Sequence, residues 1–413
     1  MSEKPSRCQK TKSAAPPDPA APIRRLTLED LRKEPYRLFF PAAVLVGLLG
    51  VAQWPLHFGG HMAMYPGMTH SRLMAFGFFG GFIAGFLGTA GPRLLSARPL
   101  RALELFLLLA LHLGMAVCFI AGKVVAGEMV LIAWLVCLFG VGVSHFIIRK
   151  DLPPPGFVLF PIAFACAIGG ASISVLESRG EVDFFWLQLR PLIAFQGFLL
   201  LPMMGVGGFL LPRFLQLPCH DDFPESRTPQ PGWWKRAWIS LAAGLAIVGS
   251  FFLEASGQFR LAYAIRFVAI SGYIFYLLPG IWRRLRRDAI VFGIKFGLLS
   301  IPLGYLTLTL FPAWRIAWLH LALAGGLGLV TLSIASRVVL RHAGRNDILM
   351  GQKGWFIIAI VMLLFGVTSR MIGDFIPKIL VTHYNYGALC WGIGLLVWAW
   401  KVIPKVLTRD PDP

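Results

Sequence analysis

The chain has 413 residues, of which 56% are hydrophobic and 14% are charged, and its mean hydropathy is +0.68. This composition excludes an ordinary soluble domain and is typical of a helical membrane protein with several spans. A net charge of +19 would suggest nucleic-acid binding in a soluble protein, but basic loops of a membrane protein instead contact anionic lipid. We therefore predict the lipid bilayer as a partner and no nucleic acid.

The first 36 residues are rich in Pro, Ala, Lys and Arg and contain no apolar core. Charged residues continue up to Arg37 and no small-residue cleavage site precedes the first apolar run, which argues against a secretory signal. We predict a disordered, basic, cytoplasmic tail over residues 1–36, a membrane domain over residues 37–405 and a short carboxy-terminal tail over residues 406–413.

Twelve apolar segments follow, each long enough to cross the hydrocarbon core as a helix. Because irregular backbone facing lipid would lack hydrogen-bond partners, we predict an all-α bundle of about twelve transmembrane helices. The longest connection, residues 216–234, divides the segments six and six, as two structural repeats would. The predicted segments are 38–58, 73–95, 103–121, 129–148, 156–176, 191–215, 235–253, 261–282, 289–311, 314–340, 354–376 and 384–404.

The basic residues outside these segments alternate from loop to loop. The amino-terminal tail and every second loop carry 28 Lys and Arg in total, and the intervening loops carry 7. Basic residues are retained on the cytoplasmic side of a membrane, so this bias predicts an even number of spans with both termini in the cytoplasm.

Ionisable groups are costly to bury in lipid, which makes those at membrane depth candidates for function. Five of the nine histidines fall toward the predicted outer face. Neutral imidazole binds haem iron, copper or zinc, and helices of a bundle bring such ligands together; alternatively, interfacial histidines bind nothing. The five are His57, His61, His70, His320 and His383.

Three further side chains have both a binding and a structural interpretation. Met74 lies four residues after His70 on the same helical face, where a thioether suits copper or haem but more commonly packs in a core. Arg370 has two alternative partners, Asp374 or an anionic ligand such as a haem propionate. For Arg266 we predict snorkelling to the interface.

Motifs in three spans resemble those of the NnrS family of bacterial inner-membrane proteins. The second span has a histidine-led entry at His70, and in the tenth His320 leads into a glycine-rich helix. The remaining motifs are MAFGF at residues 74–78, GFL at 85–87, RPL at 98–100, GGFLLP at 207–212, SR at 336–337 and HAGR at 342–345.

The resemblance covers the chain from Pro35 onward and implies a twelve-span inner-membrane protein that contains haem and copper. It implies a role in denitrification, with nitric oxide or another small molecule as ligand, and in the response to nitrosative stress. On this basis we predict that His70, His320, Met74 and Arg370 bind the cofactor, and that His70, His320 and His342 are metal ligands.

The chain departs from the family pattern at its opening motif, His-x-His-Glu-Met. Residues 70–74 read HSRLM, so Arg72 replaces a histidine and Leu73 replaces the glutamate. Phe209 stands where the family has an arginine. A divergent member with altered or absent metal binding is therefore one alternative.

A secondary transporter or channel is an alternative from a different class. Twelve spans, with Pro202 and Pro302 inside them, fit a substrate site near the midplane, but acidic residues are nearly absent from the predicted spans, which disfavours proton or cation coupling. The chain lacks the adjacent histidine pair of a haem–copper oxidase subunit and the motifs of nucleophilic, P-loop and dinucleotide-binding enzymes. The sequence alone assigns no enzymatic activity and no oligomeric state.

Overall fold

The computed structural model describes residues 26–217, 227–282, 288–345 and 354–408. These residues form helices and contain no strand, and twelve helices are long and apolar enough to cross a membrane. The all-α fold and the count of about twelve spans are thus confirmed. In chain order, α1–α12 are Tyr36–Phe58, Gly67–Leu94, Ala102–Ile120, Val124–Ile147, Pro155–Glu177, Phe184–Phe214, Trp233–Ala255, Phe259–Leu277, Ala289–Leu310, Pro312–His342, Gly354–Phe375 and Pro377–Val406.

Three spans begin six or seven residues earlier than their apolar segments predict. α2, α6 and α12 begin before the predicted limits of 73, 191 and 384, so that His70, Arg190 and His383 lie within helices. Hydropathy excluded these polar side chains, but the bundle supplies each with a hydrogen-bonding or ionic partner. Partnered side chains of this kind extend a membrane helix beyond its apolar run.

The spans form three units of four. In each unit the second span contains a π-helical segment, whose hydrogen bonds run one residue further than in an α-helix. The third and fourth spans form an antiparallel hairpin with a short connection. The π-helical segments are Leu73–Phe79 in α2, Leu192–Gly197 in α6 and Leu321–Leu327 in α10. The connection at residues 216–234, of which 218–226 lie outside the described residues, falls inside the second unit and does not separate two repeats.

The three units close into a ring. The fourth span of each unit packs against the first span of the next, as α4 on α5, α8 on α9 and α12 on α1. The second span of each unit is the inner one. In the most apolar stretch of each span, 72%, 78% and 67% of the residues are buried in α2, α6 and α10, against 28–39% in the third and fourth spans of the units. Polar groups on the inner spans are therefore shielded from lipid.

Consecutive spans run in opposite directions, which gives the bundle two distinct ends. The amino-terminal parts of α2 and α10 contain His70 and His320 and lie at one end, which we call the histidine end. The two spans finish with Arg93 and His342 at the other, which we call the arginine end. The bias of basic residues predicts that the arginine end faces the cytoplasm.

At the arginine end, Glu34 joins the amino-terminal segment to α2 and α10. Its carboxylate lies 2.5 Å from the guanidinium of Arg37, 2.9 Å from that of Arg93 and 2.7 Å from Nδ1 of His342. Arg37 also donates hydrogen bonds to the carbonyl of Thr408, at 2.7 Å, and to that of Val406. The two ends of the described chain are thus tied together.

Residues 26–36 of the predicted disordered tail are folded, whereas residues 1–25 lie outside the described part of the chain. Leu28–Lys33 is a short helix, and Thr27 and Asp30 satisfy each other's backbone N–H groups in a capping box. Arg32 Nε donates to the carbonyl of Leu100, 2.8 Å away. Capping and ion pairing order this segment although its composition is polar. Of the predicted carboxy-terminal tail, Val406 ends α12, and residues 409–413 lie outside the described part.

Toward the histidine end, buried ion pairs stand at two of the junctions between units. Arg72 of α2 lies 2.6 Å from Glu128 of α4, and both side chains are 4% exposed. At the α8–α9 junction, Arg266 is fully buried and lies 2.5 Å from Glu254 of α7. The prediction that Arg266 snorkels is therefore wrong. Glu128 and Glu254 fell just outside the predicted segments, but both lie inside the spans. The prediction that acidic residues are nearly absent from the spans was therefore also wrong.

We predict that Arg266→Met destabilises the protein strongly. The guanidinium donates to Gln196 and Ser250 besides pairing with Glu254, so its removal leaves buried acceptors without a donor and costs about 3–5 kcal/mol. Arg315→Met is the matched control, since Arg315 pairs with the same glutamate but is 35% exposed. Thermal unfolding in detergent measures both, and equal losses in Tm would contradict this prediction.

We also predict that Glu34 makes stability depend on acid pH. Burial alone would raise the pKa of Glu34, but the hydrogen bond and charge of His342 and the charge of Arg37 lower it to about 2. A carboxyl with a lowered pKa stabilises the fold above its ordinary value of 4.5, and this contribution is lost as the pH falls toward about 2. Glu34→Gln should therefore lower Tm at pH 7 and narrow the difference in Tm between pH 7 and pH 3.

The control for this experiment is Glu29→Gln, which removes an exposed carboxylate from the preceding helix. Its Tm should follow that of the unmodified protein at both pH values. A Glu34→Gln variant as stable as the control at pH 7 would refute the assignment.

Candidate functional site

The α12–α1 junction brings together three of the predicted cofactor-binding residues. His70 comes from α2, His320 from α10 and Arg370 from α11. Each imidazole lies within electrostatic range of the guanidinium of Arg370, and His320 lies within that range of His70. These residues are far apart in the sequence, and ring closure by the third unit against the first makes them neighbours.

The imidazole of His70 is held in a defined tautomer by the backbone of α1. Its Nδ1 lies 3.0 Å from the carbonyl oxygen of Gly50. A carbonyl only accepts hydrogen bonds, so Nδ1 carries the proton and Nε2 keeps a lone pair. The ring also packs edge-on against Trp54, with centroids 5.8 Å apart. His70 is thus oriented with Nε2 unprotonated in its neutral form.

His320 has the same arrangement within its own helix. Its Nδ1 lies 2.8 Å from the carbonyl oxygen of Ile316, one turn earlier in α10. The proton is again on Nδ1 and the lone pair on Nε2. His320 immediately precedes the π-helical segment of α10, and such segments occur frequently at functional sites.

Arg370 is positioned by a carboxylate and an aromatic ring. Its guanidinium lies 2.6 Å from Asp374 Oδ1 and 3.5 Å from the ring centroid of Tyr384, whose hydroxyl donates to the same carboxylate oxygen at 2.5 Å. The structure therefore contains the Arg370–Asp374 pair that the sequence offered as one alternative. Within the described residues, Nε of Arg370 is buried and has no hydrogen-bond partner. One donor of this arginine remains available to an anionic group.

Met74 lies on the same side of α2 as His70 and packs against the same glycine. A Cβ atom added at Gly50 would lie 3.1 Å from Met74 Sδ, so the absence of a side chain there permits the close approach of α1 and α2. Packing accounts for this position of Met74, and its role as a ligand stays a prediction.

His342 lies at the opposite end of α10. At about 1.5 Å per residue, it is about 33 Å from His320, and it pairs with Glu34 and Arg93. It therefore cannot bind the same ion as His70 and His320. No group of three or more His, Cys, Asp and Glu side chains that could hold a metal ion occurs in the described ranges.

The other histidines predicted near the outer face do lie at the histidine end, but in separate settings. Nδ1 of His57 is 2.9 Å from the carbonyl of Met62, and Nδ1 of His383 is 3.1 Å from Ser369 Oγ. His61 is exposed. None of them joins the pair at the α12–α1 junction.

Arg72 faces a different junction from His70. Two positions along an α-helix differ by about 200° around its axis, so the side chains of residues 70 and 72 point in nearly opposite directions. Arg72 donates to Ser174 Oγ of α5, 2.9 Å away, as well as pairing with Glu128. It immediately precedes the π-helical segment of α2, as His320 does in α10. Position 72 thus belongs to the α4–α5 junction.

Sequence reasoning missed two groups that orient the site. The carbonyl of Gly50 is a backbone atom, which no residue pattern reveals. Tyr384 follows His383 near the start of α12, and its contact with Arg370 depends on how α11 and α12 pair. The spacing of four between Arg370 and Asp374 was the one available signal, because residues so spaced lie on one helical face.

A family model described as NnrS protein matches residues 30–409. No curated protein matches the chain. The matched range contains all twelve spans and both histidines of the α12–α1 junction. It also contains Glu34 and its partners Arg37, Arg93 and His342 at the arginine end. The chain therefore belongs to the NnrS family.

Proposed function

We propose that this protein binds haem, or alternatively copper, at the α12–α1 junction and acts in the response to nitric oxide or nitrosative stress. The observation that carries this proposal is the pair of neighbouring imidazoles, His70 and His320, each with Nδ1 bonded to a carbonyl and a lone pair on Nε2. Metal-binding histidines are oriented in this way in proteins, because the second hydrogen bond fixes the tautomer and the ring.

The donor set of the junction fits a haem group better than a bare metal ion. Two protein ligands would leave a bare ion short of the four donors that a closed site supplies, whereas haem would contribute nitrogen donors of its own. Copper would need a third donor, and Met74 Sδ is the candidate. Haem or copper would supply a redox-active transition metal able to bind a small neutral molecule such as nitric oxide.

Arg370 supports the same assignment by its charge. Its unpartnered Nε is a donor for a carboxylate such as a haem propionate, and Asp374 and Tyr384 hold the guanidinium in place for it. The junction lies within the bundle, where low polarity strengthens such a contact.

Of the two altered motif positions, only position 73 lies at this junction, where Leu73 packs against Gly50 of α1. Arg72 stands where the family has a second histidine, but its side chain lies between α4 and α5 in a closed ion pair. The substitution therefore changes a separate place in the ring. A family member without metal remains the alternative that the spectrum described below decides.

We further propose that the protein lies in the bacterial inner membrane with both termini in the cytoplasm. The bias of basic residues toward the arginine end supports this orientation, which puts His70 and His320 in the outer half of the bilayer. A transporter has no specific observation in its favour, since the buried carboxylates Glu128 and Glu254 both pair with arginine.

The absorption spectrum and metal content of the detergent-purified protein test the proposed cofactor. We expect a Soret band, or bound copper, that is lost or shifted in His70→Ala and in His320→Ala because each variant removes one ligand. His57→Ala is the control, since this histidine lies at the same end outside the junction. A protein with neither a Soret band nor copper would refute the cofactor, and unchanged bands in both variants would refute the site.

We also predict that Arg72 takes no part in binding the cofactor. The double variant Arg72→Met, Glu128→Met removes both members of the ion pair, so neither charge is left buried alone. We expect it to keep the cofactor-to-protein ratio and band positions of the unmodified protein. Loss of the cofactor to the extent seen in His70→Ala would show that position 72 contributes to the same site.

A further inference from the structure

The three inner spans line an apolar, partly open cavity that the junction site does not use. It has a volume of about 90 Å³ and lies in the arginine-end half of the bundle, between α2, α6 and α10. Phe40 of α1 and Phe160 of α5 complete its wall. Among the described residues that line it, only Thr331 has a polar side chain. We call this space the axial cavity.

The lining chemistry excludes most occupants. A buried water molecule needs two to four polar partners, and one threonine hydroxyl does not supply them. A charged ligand would find no counter-charge in the wall. Apolar cavities of about 150 Å³ stay dry and take up benzene or xenon, so a cavity of about 90 Å³ suits a single atom or a diatomic molecule.

The axial cavity is adjacent to the π-helical segments. Phe79 and Leu327, which line it, are the last residues of those segments in α2 and α10. Leu327 lies about 10 Å along the helix from His320. Ile83, Val206 and Ile334 line the cavity and keep partial exposure, which provides an opening for a small molecule.

We propose that the axial cavity is a binding site for a small, uncharged, apolar molecule of diatomic size. Its volume, its nearly uniform apolar wall and its position on the axis of the ring support this assignment. The inference goes beyond the proposed function, because it concerns a second site that requires neither His70 nor His320 nor a bound cofactor.

Xenon is a suitable probe, since it is apolar and close in size to a diatomic gas. In crystals of the full-length protein pressurised with xenon, we expect anomalous density in the axial cavity. The density should fall to background in Ala335→Leu, which fills the cavity from α10, and in Val206→Phe, which fills it from α6. Val206 is partly exposed, so its variant tolerates the added volume if Ala335→Leu does not fold.

The matched control is Ala110→Leu, which makes the same substitution at an exposed position of α3. It should retain the xenon site at full occupancy. The proposal would be overturned by absence of xenon from the unmodified protein, by a lipid or detergent chain filling the cavity, or by xenon occupancy in both filled variants equal to that of the unmodified protein. Xenon binding does not depend on haem or copper, so this outcome is independent of the spectrum.

Discussion

An arginine inside a bilayer is tolerated only where its charge and its donors are satisfied, and this constraint shapes the histidine-end half of the bundle. Arg72, Arg266 and Arg370 each occupy one junction between four-span units, and each pairs with an acidic residue. In two junctions the pair is buried and also bonded to neighbouring polar groups, which closes the space between the units. The third pair sits beside two histidines and leaves one buried donor without a partner.

The π-helical segments connect these junctions to the centre of the ring. Each one adds a residue to a turn of an inner span, which turns the following part of the helix relative to the preceding part. His320 and Arg72 immediately precede such a segment, and the axial cavity begins where the segments of α2 and α10 end. This local distortion thus lies between the polar junctions, where side chains bind one another, and the apolar axial cavity, where the helices leave a space.

The ring also explains how this chain retains a candidate site despite its altered motif. Two residues that are neighbours in the motif point into different junctions, because the helix turns by about 200° between them. At one junction Arg72 and Glu128 form a closed pair, while at the other His70 and His320 keep unprotonated nitrogens. The junctions can therefore change independently of each other, as the low coupling between distant contacts allows.

The sequence by itself determined the membrane class and the number of spans, because these follow from apolar length. The choice of His70, His320 and Arg370 came from the cost of burying polar groups together with the resemblance to the NnrS family. Only the tertiary structure decided which of these residues meet. Burial of Arg266, pairing of Arg72 with Glu128 and the separation of His342 from His320 depend on contacts between spans far apart in the chain. Hydropathy scores each residue alone, whereas a buried charge is stable only through a partner, and the partner is set by how the helices pack.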